Sequence, residues 1–377
     1  MRILYILTSL GIGGAEKQVI ALAERMAAKG HTVAFLVLKH VDQECPIRHP
    51  VLRLNLPKTP MGILRGLRFA SNFLLLFRPD ILHSHTFPAN IFARLLRASL
   101  RLKRIENRVS NEINPVVINT IHNIYEGGWH RMLLYRLTST QADAVTAVST
   151  AAAERFVRLR AVPRKKISVL TNGIDIQAFN PDKKIRRTAR TQMQAGDPFI
   201  WLAVGRIVPA KDYPNLLRAL RHVQLTHSTA TLWIAGEGDP VVEAAGDVDN
   251  STPANIQWLG LRHDVVQLLD AADAYVLSSA WEGMPLAVGE AMAMEKPVVA
   301  TDAGGVRELV GKAGIVVPPA DSEALANAML SIMEISNKQR QEMGQVARER
   351  IHDHFSMDVK AVEWDSLYSR LIRKGTA

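Results

Sequence analysis

The opening stretch RILYILTSLGIGGAEKQVIALAERMAAKG, residues 2–30, decides how the rest of the chain is read. RILYILTS is a short, nearly continuous apolar run, as a strand buried on both faces of a parallel sheet would be. A Gly-rich turn follows it. AEKQVIALAERMAAKG then has helical periodicity and stops at Gly30, a residue suited to ending a helix. Arg2, the apolar run and the small residues together mimic a signal peptide. The run breaks at Thr8-Ser9 and passes through glycines into a charged helix, so no export-type segment is expected.

The same alternation continues outward. HTVAFLVL, VLRLNL, DILHSH, VVINTIH, DAVTAVS and KISVLTNG read as strands, with helical patterns between most of them. The pattern breaks after NGIDIQAFNP, where residues 182–198 are polar and charged, and restarts with FIWLAVGRI, TLWIAGEG, IQWLGL, AYVLSS, PVVATD and GIVVPP. Strands alternating with helices indicate parallel, doubly wound sheets. The 377 residues suit two domains. The expected fold class is therefore α/β, with two Rossmann-like domains facing across a cleft. The expected boundaries are 1–178, 179–356 and a C-terminal helix, 357–377, packing back on the first domain. Residues 322–374 are mostly helical by pattern.

Composition narrows the function classes. The lone Cys45 excludes an intrachain disulfide and suits a reducing compartment. No apolar run approaches the ~20 residues of a membrane span. The net charge of +10 is uneven: residues 1–175 carry 25 Lys and Arg against 11 Asp and Glu, net +14, and the remainder is net −4. One half is thus expected to face something anionic.

Open parallel sheets bind ligands beyond the carboxyl ends of their strands, so strand-end motifs carry the chemistry. WEGMPLAVGEAM, residues 281–292, holds Glu282 in a strand-to-helix loop and Glu290 inside the helix that Pro285 is expected to open. A helix start presents free N–H groups and favours anions, phosphate above all. Arg206 and Lys211 in AVGRIVPAKD follow the first strand of the second half and can hold a diphosphate, one as a fork and one as a point charge. Gly304-Gly305 and Gly13-Gly14 lie in similar strand-to-helix turns. GIGGAE is not a dinucleotide fingerprint, because Glu16 stands where the third glycine belongs and no acidic residue ends LVLKH. His83 and His85 share one face of a strand, and Asp80 and His122 could complete a metal set, but packing or substrate hydrogen bonding is the preferred reading. The Asp-Val-Asp at 247–249 has no apolar strand before it and reads as a loop rather than a metal site.

These residues resemble the family 4 glycosyltransferases. The match runs from AVGRIVPAKD through EGMPLAVGEAMAMEKPVVATDAGGVREL and takes in GGAE, DILHSH, Ile121-His122, VSTAAAERF and KISVLTNGID. Met284 stands where an aromatic is common, and Glu295 where a small residue precedes Lys296-Pro297. Residues 98–115 match nothing in the family pattern and are open to an acceptor role. The resemblance implies a GT-B fold and retaining, metal-independent transfer of a sugar from a UDP- or GDP-linked donor, with no cofactor. It implies that Glu290 binds the ribose and Glu282 the sugar. Arg206 and Lys211 would neutralise the leaving diphosphate, and His122 would hydrogen-bond the sugar. Gly13, Gly14, Gly283, Met284, Pro285, Leu286, Gly304 and Gly305 would line the donor site. A glycan or lipid-linked acceptor, a bacterial cell-surface polysaccharide pathway and a cytoplasmic location are expected, with no nucleic-acid partner. The competing readings are a nucleotide-sugar 2-epimerase and a non-enzymatic nucleotide-sugar binder. The basic half is expected to meet an anionic inner membrane face through segment 64–78 or 93–104. The second is preferred for Arg94, Arg97, Arg101, Lys103 and Arg104.

Overall fold

Residues 3–7 alternate between two packed layers, which is why the first run is apolar throughout. Ile3, Tyr5 and Leu7 join one core with Val19, Leu22 and Met26, while Leu4 and Ile6 join another with Ala70, Leu74, Ala89, Phe92 and Leu96. A strand with helices on both faces has no polar side. The computed structural model describes the whole chain except residues 12, 58, 106–113, 183–187, 192–195, 240–254 and 376–377, together with the side chains of 103–105 and 375.

The chain divides into two units, Met1–Gly173 with Met357–Ala377, and Ile174–Ser356. In the first, β1 (Arg2–Leu7), β2 (Thr32–Val37), β3 (Val51–Arg53), β4 (Ile81–His85), β5 (Val116–Ile121), β6 (Ala144–Ala147) and β7 (Ile167–Val169) form a parallel sheet in the order β3-β2-β1-β4-β5-β6-β7. In the second, β8 (Ile200–Val204), β9 (Thr231–Ala235), β10 (Ile256–Gly260), β11 (Ala274–Leu277), β12 (Val298–Thr301) and β13 (Ile315–Val317) run β10-β9-β8-β11-β12-β13. Numbered within the unit, this is the 3-2-1-4-5-6 order of a Rossmann fold. Both units are doubly wound and Rossmann-like. VLRLNL is regular strand only over Val51–Arg53, with Leu54 and Leu56 N–H still donating to the Val37 and Leu38 carbonyls, and much of the polar stretch 182–198 lies outside the described residues.

The helix Met357–Gly375 belongs to the first unit. Asp358 pairs with Arg25 of helix Gly14–Ala28 at 2.6 Å, and the Tyr368 hydroxyl meets those of Tyr5, at 3.3 Å, and His83 Nδ1, at 2.7 Å. In the second unit Trp201, Leu216, Leu220, Leu232, Ile234, Val276 and Met329 form the core.

Two basic segments behave differently from expectation. Arg94 and Arg97, on helix Phe87–Ile105, are buried on its sheet-facing side. Arg94 donates to Asn119 Oδ1 at 2.6 Å and to the Tyr135 carbonyl at 2.8 Å, and burial pushes its guanidinium down to about 10. Arg97 pairs with Asp143. Arg94 and Arg97 of segment 93–104 are therefore corrected from a membrane face to structural packing, while Arg101 is exposed and Lys103 and Arg104 lie outside the described side chains. Helix Pro60–Phe77 instead exposes Met61, Leu64, Phe69 and Leu76, the last by 80%, beside exposed Arg65 and Arg68. Among the described residues no helix is long and apolar enough to cross a membrane.

Candidate functional site

The strand order of each sheet reverses direction once, between β1 and β4 and between β8 and β11. Such switch points open a crevice at the strand ends. In the second unit the candidate residues converge there. After β8 come Gly205 and the exposed Arg206, then a 3-10 turn, Pro209–Lys211. Asp212 takes a left-handed backbone (φ 46°) and caps helix Tyr213–Gln224 by accepting from Asn215 N–H at 3.3 Å. That turn aims Lys211 back across the crevice, where Nζ donates to Glu282 Oε1 at 2.6 Å. Ser279 Oγ donates to the same oxygen at 2.7 Å. The Ser278 hydroxyl holds the Lys211 carbonyl at 2.8 Å, and Ala280 N–H holds that of Ala210 at 2.9 Å, so the two strand-end loops are laced together. A Cβ on Gly205 would sit 2.7 Å from Lys211 Cε, so the glycine leaves room for this side chain.

Pro285 is the N-cap, not the first helical residue: the helix is Leu286–Ala293, and no side chain caps its start. Gly283 and Met284 are buried below it, and Glu290 is half-buried at the fifth helical position. The Gly304 turn closes the same loop. Its φ is 63°, a Cβ there would run into the Glu282 carbonyl, and the next N–H, on Gly305, donates to the Gly283 carbonyl at 2.8 Å. Glu295, standing where a small residue is usual, has φ 56°, a left-handed backbone that bulky residues rarely adopt. Lys296 is structural: it is buried, and its ammonium donates to the carbonyls of Asp270 and Ala272 at 3.2 Å each.

In the first unit, Gly13 is the N-cap of helix Gly14–Ala28, with no side-chain cap, and a carboxylate, Glu16, stands in its first turn. His122 follows directly after β5, and its Nε2 lies 2.9 Å from Nδ1 of His85, which ends β4. Burial holds His122 down to about 4 and holds His83 and His85 well below the ordinary histidine value, so all three are neutral near pH 7. His122 N–H donates to Glu126 Oε1 at 3.2 Å, and the Tyr135 hydroxyl donates to Glu126 Oε2 at 2.8 Å. Burial raises Glu126 to about 7, against the pull of those hydrogen bonds.

The sequence reading did not single out Ser279 or Glu126. Each had only position as a signal, one at a strand end three residues before Glu282, the other four after His122. Asp80 stays apart from the histidines and accepts from Arg2 N–H at 2.7 Å. Among the described residues, no three His, Cys, Asp or Glu side chains gather as a metal set. The Asp-Val-Asp at 247–249 lies outside the described residues.

Comparison with known proteins agrees with this architecture. A model described as Glycosyltransferase Family 4 matches residues 12–178, and one described as Glycosyl transferases group 1 matches residues 198–334. The chain is 24% identical to UDP-Gal:alpha-D-GlcNAc-diphosphoundecaprenol alpha-1,3-galactosyltransferase of Escherichia coli, over 78% of this chain and 76% of that protein. It is 26% identical to glycogen synthase of Mycobacterium tuberculosis, over 78% and 69%. Among solved structures, Anabaena Alr3699/HepE in complex with UDP and glucose superposes with a TM-score of 0.83 at 20% identity, over 98% of this chain and 100% of that one. At that identity the likeness establishes the fold.

Proposed function

The chain belongs to the family 4 glycosyltransferases, and we propose that it is a retaining enzyme that moves a hexose from a nucleotide-sugar to a glycan or lipid-linked saccharide in bacterial cell-surface polysaccharide synthesis. The observation that carries the reading is the Lys211–Glu282–Ser279 cluster at the β8/β11 switch point, beside an uncapped helix start. Lys211 and the exposed Arg206 bring two cations to one strand end, where a diphosphate leaving group develops negative charge. Donors already in place when that charge appears stabilise the transition state. The Glu282 carboxylate fixes Lys211 and faces the sugar, and Glu290 takes the ribose hydroxyls.

In the proposed reaction the bond from the anomeric carbon to the phosphate oxygen breaks, and a bond to the acceptor oxygen forms on the same face. The acceptor proton passes to the leaving phosphate oxygen. No base is required of His122, which is neutral and suited to hydrogen-bonding a sugar. Two protein cations and the helix start do the work a divalent metal would do. The UDP found with one structural relative supports a nucleotide donor, and the diphosphoundecaprenol substrate in one relative's name supports a lipid-linked acceptor. For such an acceptor the enzyme works in the cytoplasm, docked on the anionic inner leaflet through the exposed face of helix Pro60–Phe77.

Thermal unfolding with a panel of nucleotide-sugars in EDTA tests the donor site. A ligand at 100 times its Kd stabilises by about 2.7 kcal/mol. A clear upward shift with one nucleotide family is expected. No shift with any nucleotide-sugar, or a shift that needs added manganese, contradicts the reading.

A further inference from the structure

His122 does not stand alone at the end of β5. His85 is 2% exposed and immobilised on its other side by His83, whose ring lies 4.1 Å away. His83 is itself pinned by the Tyr368 hydroxyl and Thr120 Oγ1, both at 2.7 Å. The 2.9 Å contact between His85 Nδ1 and His122 Nε2 joins two rings that each carry a single proton. One ring must donate and the other accept, so the choice of tautomer is shared between them.

Two arrangements exist. If His122 donates from Nε2, His85 accepts at Nδ1 and keeps its own proton on Nε2. Both rings are then in the Nε2–H form that neutral imidazole side chains favour in water. The reverse direction puts both in the disfavoured form. The far side of His85 accommodates the first arrangement. His85 Nε2 is buried without a protein partner, as is Thr171 Oγ1, and both residues line a cavity of about 10 Å³. The space is close to that of a single water, which can accept from His85 Nε2 and donate to the Thr171 hydroxyl.

Resting on the reading of His122 as a sugar contact, we infer that His85 is a positioning residue. It accepts the Nε2 proton of His122 and so leaves His122 Nδ1 as a hydrogen-bond acceptor, matched to a sugar hydroxyl that donates. An anionic oxygen would find no donor at that atom.

Nitrogen-15 NMR of the full chain, labelled at histidine, tests this directly. Protons on Nε2 of both rings are expected, with a coupling across the hydrogen bond from His122 Nε2 to His85 Nδ1. A proton on His122 Nδ1, or no coupling, overturns the inference, and neither result depends on any variant folding. In His85→Phe, which keeps a ring but removes the acceptor, His122 is expected to mix tautomers. Its kcat is expected to fall about tenfold, the scale of one lost hydrogen bond, with affinity for free nucleotide unchanged. His85→Asn, which restores an acceptor near the Nδ1 position, is expected to recover most of the loss. Equal losses in both variants mean packing alone and overturn the positioning role. Normal turnover in His122→Ala with the wild-type coupling intact refutes the sugar contact while leaving the tautomer assignment standing.

Discussion

Lys211→Met separates the structural part of the cluster from its chemistry. In the wild type Lys211 and Glu282 side chains are 18% and 13% exposed and 2.6 Å apart. Breaking a fully buried pair costs about 3–5 kcal/mol and an exposed one about 0–1. This pair lies between those limits, and Ser279 still holds Glu282 after Lys211 is gone. A loss of about 1–3 kcal/mol in urea unfolding follows. Turnover with the preferred nucleotide-sugar is expected to drop roughly 10²–10³-fold, as when one preorganised donor is removed. Adding Glu282→Gln removes the unpaired charge, so stability should return toward wild type while turnover stays low. Exposed Arg206 gives the control: Arg206→Ala should lower turnover on the same scale with stability within about 0.5 kcal/mol. Near-normal turnover in Lys211→Met, or recovery of turnover in the double variant, refutes the assignment of Lys211 to the leaving diphosphate.

Three further outcomes are expected. By calorimetry, Glu290→Ala weakens free nucleotide, whereas Glu282→Ala spares it and lowers turnover; equal loss of nucleotide affinity in both contradicts the ribose and sugar assignments. Glu126, raised from 4.5 to about 7, favours the fold in its protonated form. Its contribution is complete below the unfolded value and is lost as pH rises through the folded one. The Tm difference between wild type and Glu126→Gln should therefore move in favour of the glutamine as pH rises from about 5 to 8, and a constant difference contradicts the shift. Last, the chain should sediment with anionic but not neutral vesicles at low salt and detach near 1 M, where the screening length falls to ~3 Å. Leu64→Glu with Phe69→Glu should abolish that binding, and unchanged binding rules out the helix Pro60–Phe77 as the contact.

The legible parts of the molecule were those decided by local pattern. Gly-Met-Pro after AYVLSS marked the strand-to-helix loop, and the double glycine at 304–305 marked a close approach that the φ of 63° and the neighbouring Glu282 carbonyl now explain. What pattern could not supply was adjacency. Lys211 and Glu282 are 71 residues apart and meet because β8 and β11 are adjacent in the sheet, although β9 and β10 separate them in sequence. The pairing of His85 with His122 likewise depends on β4 lying beside β5. Arg94 and Arg97 misled for a related reason. Five cations in a helical segment look solvated, but a helix between two strands must lay one stripe on the sheet. Here two guanidinium groups lie on it, held by Asn119, by the Tyr135 carbonyl and by Asp143. Composition cannot distinguish a buried, bonded arginine from a solvated one.

Proton NMR of the enzyme with its preferred nucleotide-sugar and a membrane extract, followed in EDTA, tests the central claim most directly. Sugar transfer with retention predicts that the donor's anomeric signal decays as a glycoside of the same anomeric configuration and an equal amount of nucleoside diphosphate appear. A sugar epimerised at C2, a product of inverted configuration, or an unchanged donor would contradict it.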